Sequence, residues 1–193
     1  MLASPGISED QMATSQSYIM GHDDRERRRL ALQASVLRPI TERFFEDAGI
    51  GAGMNVQEYD FSLWVPSWPA SALNSRVMRV FVELFPKLTH ANAGSRLHHW
   101  YRQAGFPAPR VSGNVLTDGA PDSRYYEWMV ESLRAILPRA EQMGLVQPGE
   151  FDLDHIAEQL RAELLATEST AAGIIMMGAY SNKPASAPLE PAA

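Results

Sequence analysis

The chain contains no cysteine among its 193 residues. That excludes disulfides, thiolate metal sites and cysteine nucleophiles, and it leaves the redox compartment open. Positive charge is not in excess either. Lys and Arg number 17 against 23 Asp and Glu, a net charge of −6, with a pI near 5.4, whereas a nucleic-acid binder is normally basic. The longest apolar stretch, Ala171 to Tyr180, is broken by Gly173 and Gly178 and falls well short of the roughly 20 residues a membrane-spanning helix needs. The opening residues, MLASPGISEDQM, lack the apolar core of a signal peptide. These absences lead to the expectation of a soluble, cytoplasmic protein. One further absence concerns chemistry. Gly49, Gly51 and Gly53 spell G-x-G-x-G, but they precede a strand instead of following one, so they read as a loop and not as a cofactor cradle.

What is present suits one globular domain. Hydrophobic residues make up 45% and charged residues 21%, which is ordinary for such a domain, and the length allows a sizeable core. Residues 1–14 and the tail 184–193, PASAPLEPAA, have too little to bury and are expected to be disordered. Residues 15–183 remain as a single domain. No internal repeat is present.

Asp23 followed by Glu26 fits a capping box and opens a first helix. Leu30, Leu37, Ile40, Phe44 and Ala48 recur along it at core spacing, Pro39 is expected to kink it, and Gly49 to end it. NVQEYDF alternates as a strand, with Val56, Glu58 and Asp60 on one face and Gln57, Tyr59 and Phe61 on the other. Further helices are expected over about 71–85 and 94–104, from Asp122 or Ser123 with Pro138 as a second kink, and from an Asp152 cap. RVSGNVL and AAGIIMMGAYSNK read as strands, the last apolar on both faces and therefore the buried one. The expected fold class is an α/β remnant, mostly helical, around a small three-stranded mixed sheet. In it 171–182 is central, flanked by 55–61 and 109–117. Helices on one face only would leave the other face of so small a sheet apolar and bare.

The stretch SYIMGHDDRERRRLALQASVLRPITERFFEDAGIGAGMNV resembles the cap segment of the class I S-adenosylmethionine-dependent methyltransferases of the small-molecule type, followed by the lead-in to their first strand. Tyr18, Gly21, the run Asp24 to Arg29, and Leu30 with Gln33 carry the likeness. QEYDFSLWVPSWP resembles the fifth strand of that family and the loop after it. GSRLHHWYRQAGFPAPRVSGNVL resembles the AGF helix and sixth strand, and PDSRYYEWMVESLRAILP with GIIMMGAYSNKP resembles the last helix and the seventh strand. The likeness covers nearly all of residues 15–183 in two pieces, 15–56 as cap helices and 57–183 as the carboxyl-terminal half. They meet at Val56-Gln57, where the family continues into a glycine-rich turn of the form LDVGxGxGD. By this resemblance the first four strands with their helices are missing, on the order of 100 residues. They are the part that holds the nucleotide, through its glycines and an acidic residue for the ribose. The order 5-7-6 of the family's strands also implies the sheet order given above.

The resemblance nominates residues, each with a plainer alternative. The end of the fifth strand borders the reaction cleft of the family, so Glu58 or Asp60 is a catalytic candidate, one carboxylate orienting a nucleophile as general base. The alternative is an exposed edge-strand face, which weighs more. The family's cap segment folds over the cofactor pocket, so Tyr18, Arg29 and Gln33 are candidates for S-adenosylmethionine or substrate contacts, against the alternative that DDRERRR is a solvated helix face. Trp64 and Trp68 are candidates for a substrate wall, or they pack the loop onto the next helix. His98 and His99 are adjacent on a helix, diverge by about 100° and cannot share one metal ion, so no metal site is expected. HIAEQLRAELLATE is an amphipathic helix for the core, or for a second chain if the missing strands leave a groove.

Two functions follow. One is a methyltransferase homologue whose intact relatives act on a small organic acceptor by displacement at the sulfonium methyl, with S-adenosylmethionine binding doubtful in this chain and no turnover expected of it alone. The other is a non-catalytic interaction module or remnant gene product. No nucleic-acid or membrane partner is expected. The strand at 55–61 lacks one neighbour of the complete fold, and its open edge leads to the expectation of a homodimer.

Overall fold

The computed structural model describes residues 23–48 and 53–182; Tyr18, most of the glycine run and the tail lie outside them. Five helices and three strands follow in the order α1 (Asp24–Ala48), β1 (Gly53–Trp64), α2 (Ala72–Leu88), α3 (Ala93–Gln103), β2 (Arg110–Asp118), α4 (Tyr125–Gln142), α5 (Ile156–Ala166) and β3 (Ala171–Asn182). The strands form one sheet in the order β1-β3-β2, as expected. It is not mixed, however: β3 runs antiparallel to both neighbours. The outer strands are parallel to each other, but reversed β3 separates them, so no hydrogen-bonded pair is parallel.

Local chemistry accounts for the element ends. Asp23 opens α1, its Oδ1 accepting the Glu26 N–H at 2.8 Å, and the helix runs through Pro39 to Ala48. Ser71 caps α2 by accepting the Asn74 N–H at 3.0 Å. Asp152 precedes α5 by one turn instead of starting it, binding the Asp154 N–H and the His155 ring. α4 likewise begins later than Asp122, after a turn in which Ser123 donates to Asp118 and accepts from the Tyr125 N–H.

Helices cover both faces of the sheet, contrary to the expected bare face. On one side the main core joins α1, α2, α4 and α5 through Leu37, Val77, Phe81, Leu84, Met129, Leu133, Ile136, Ile156, Leu160 and Leu164. On the other, α3 packs alone, with Leu97 and Tyr101 against Ala179, Val56 and Met177. Tyr101 anchors it by donating to the Ala179 carbonyl at 2.8 Å. Leu30, expected in the core stripe, is 41% exposed.

Phe44 of α1 lies flat against Gly178 of β3. A Cβ at 178 would stand 2.5 Å from the ring's Cε2, and that ring is itself wedged between Phe45 and Tyr180, each at 5.9 Å between centroids. Gly178→Ala is therefore expected to cost about 1–3 kcal/mol by overpacking, read as a lowered midpoint in urea with an unchanged slope.

Candidate functional site

A groove of about 430 Å3 lies between α1 and the outer edge of β1, among the nominated residues. α1 contributes Leu30, Gln33, Ala34, Leu37, Arg38, Thr41, Glu42 and Phe45, a stripe repeating every three or four residues along one helical face. β1 supplies Gln57, Glu58 and Tyr59, with Met176 of β3 behind. Thr41 Oγ1 donates to Gln57 Oε1 at 3.1 Å and bridges the two walls. Tyr59 points into the main core, its hydroxyl buried without a hydrogen-bond partner among the described residues, and burial holds its pKa above the usual phenol range. Glu58 is on the outward edge, and partial desolvation raises its carboxyl pKa.

The other carboxylate nominated with Glu58 has a different place. Asp60 is fully buried, not part of an exposed strand face. Its Oδ2 accepts the Ser95 N–H at 2.8 Å and the Ser95 hydroxyl at 2.6 Å, and its Oδ1 accepts from the Ser62 N–H and hydroxyl. Ser95 is the third residue of α3, whose own N-cap, Asn92, makes no side-chain cap bond. Asp60 thus caps α3 from β1. Desolvation raises its pKa and the four hydrogen bonds to the anion lower it; the hydrogen bonds prevail and the net shift is downward.

Arg29 and Gln33 come together at the amino-terminal end of α1. Arg29 donates to both oxygens of Glu26 at 2.7 and 2.8 Å, to Gln33 Oε1 at 2.7 Å and to Ser132 Oγ at 3.4 Å. Both members of the Glu26–Arg29 pair are only 4% exposed. The run DDRERRR is therefore not wholly a solvated face: positions 26 and 29, one turn apart, point inward at α4, while Asp24, Arg27 and Arg28 are exposed. Beside this pair lies a polar recess of about 220 Å3, where Arg25 grips Glu131 with two bonds of 2.8 and 2.9 Å.

The two tryptophans separate. Trp64 is half-buried against the main core, whereas Trp68 is 83% exposed. His98 and His99 are both exposed, and no cluster of three or more metal-ligating side chains occurs among the described residues. No described helix is long and apolar enough to cross a membrane.

Of the nominated residues, only Gln33 and Glu58 line the groove; Arg29 and Asp60 serve buried polar contacts, and Tyr18 lies outside the described residues. Sequence reasoning missed Arg38, Thr41, Glu42 and Gln57. The signal available was the second helical stripe through 30, 34, 38, 41 and 45, offset from the stripe through 37 and 44 that enters the core.

No protein-family model matches the chain, and no curated protein matches it.

Proposed function

We propose that the chain is a truncated homologue of the small-molecule S-adenosylmethionine-dependent methyltransferases, holding the cap and the acceptor-side half without the cofactor-binding strands. The observation that carries this is the sheet. The segments resembling the fifth, sixth and seventh strands stand in the order five, seven, six, the order the resemblance implies. The join also supports it. β1 crosses Val56-Gln57 in one unbroken register against β3, from Gly53 opposite Asn182 to Asp60 opposite Ile175. A lead-in to a first strand and a fifth strand thus fuse into one continuous strand, and the groove beside it occupies the side from which neighbouring strands are absent.

Methyl transfer by displacement demands both reactants held in line. Nothing among the described residues replaces the backbone turn and acidic partner that hold the nucleoside. Of the two carboxylates Glu58, exposed at the outer edge of β1, remains the general-base candidate, because Asp60 is committed to α3. By this reading the chain alone has no turnover, and acceptor contacts, if retained, involve the groove. Titration calorimetry with S-adenosylmethionine is the test. The expected result is no saturable heat at micromolar concentrations. Low-micromolar affinity restores a working cofactor site and overturns the reading.

A further inference from the structure

The outer edge of β1 and the groove-facing stripe of α1 form one continuous surface, and we propose that a second copy of this chain covers it across a two-fold axis, giving a six-stranded sheet in the order β2-β3-β1-β1-β3-β2. The inference stands on the edge itself and not on the methyltransferase reading.

The edge comes first. β1 ends the sheet, and its far end is already covered, because the Phe61 and Ser62 N–H groups both donate to the Ala91 carbonyl. Along 55–59 no described segment pairs with the outer side, and unpaired strand edges are templates for another strand.

The helix then decides the occupant. Thr41 binds Gln57 of β1 and Phe44 sits on Gly178 of β3, and Gln57 and Gly178 are direct cross-strand partners. α1 therefore crosses above the gap between β1 and β3. Neighbouring strands are about 4.8 Å apart, so the helix axis lies about 5 Å inside a seam between two β1 edges. A two-fold axis at that seam sets the two α1 helices antiparallel and about 10 Å apart, at the limit of helix–helix packing distance.

Charge fits the same arrangement. Arg38 and Glu42 are exposed on the groove and have no ion pair among the described residues. Antiparallel helices crossing beside residues 38–41 bring Arg38 of each copy towards Glu42 of the other. Phe45, 39% exposed, lies within the stretch of the stripe that the second helix runs over. In the sheet, a two-fold beside Gln57 sets Glu58 opposite Val56 of the other strand, so the two Glu58 carboxylates do not face each other.

Light scattering on the full chain, with charge-reversal variants, tests this. The expected mass is about twice 21.4 kDa, with amide exchange across 55–59 slowing as concentration rises. Arg38→Glu and Glu42→Arg should each weaken association about tenfold, and the double variant should restore it; circular dichroism checks that each is folded. A clean monomer at tens of micromolar, or an open polydisperse series, overturns the closed dimer. A dimer indifferent to both reversals, with 55–59 unprotected, overturns this surface.

Discussion

Arg29→Ala is expected to be the most damaging single substitution outside the apolar core. The guanidinium is buried, and it neutralises a carboxylate that is equally buried. Removing it leaves Glu26 as a charge with its main counter-ion gone, and breaking a buried pair from one side costs about 3–5 kcal/mol. For a chain of this size that is a fall in melting temperature on the order of 10 °C. Glu26→Ala should cost a similar amount, for the same reason with the sign reversed. The double variant Glu26→Leu with Arg29→Met should recover most of the loss, because an apolar pair of similar volume avoids the desolvation of two ions. Urea unfolding of these proteins together with the double alanine variant gives the coupling energy. Additive single losses, with no recovery in the double variant, show that the two side chains are held by other groups and not by each other. An exposed comparator makes the contrast: Arg27 and Asp24, also one turn apart and 3.4 Å from each other, are more than three-quarters exposed, and breaking that pair should be worth at most about 1 kcal/mol.

That contrast marks where sequence reasoning reached and where it stopped. Element types were legible because periodicity is local: the apolar spacing of α2 and α4 and the two-sided apolar character of β3 each reflect a single segment's own burial. The central place of β3 followed from that character and from the resemblance together. What was not legible depends on contacts between distant segments. Glu26 and Arg29 look like their neighbours in a charged run, and contacts with distant segments, such as Ser132 on α4, distinguish them. Asp60 is one alternate residue of a strand, and nothing local announces that Ser95, 35 positions on, arrives over it. Leu30 has the spacing of a core residue yet borders the groove, because β1 ends the sheet there and no described strand stands beyond it. The antiparallel sense of the sheet was likewise a matter of how connections return and not of any one strand's composition.

Asp60→Ala is expected to cost about 2–4 kcal/mol, the sum of a lost helix cap and of hydrogen bonds to a buried anion. The carboxylate joins β1 to α3, the only helix on its face of the sheet among the described residues, so the loss should be local before it is global. Amide exchange within α3 should accelerate more than exchange within α4, whose contacts are on the other face. Asp60→Asn keeps one acceptor oxygen and should lose less. The pH dependence carries the sign of the shift. The folded-state pKa is depressed, so the unfolded chain binds the proton more readily, and stability rises with pH wherever that difference holds. The contribution is complete above the ordinary aspartate value of about 3.9 and is lost as pH falls from there through the lower folded value. In the wild type, thermal midpoints measured from neutral pH downward should therefore drop with a component that Asp60→Asn lacks, since the amide has no proton to gain. Parallel pH profiles for the two proteins, offset by a constant, would mean that Asp60 has the same pKa folded and unfolded, so that its bonds from Ser62 and Ser95 do not favour the anion.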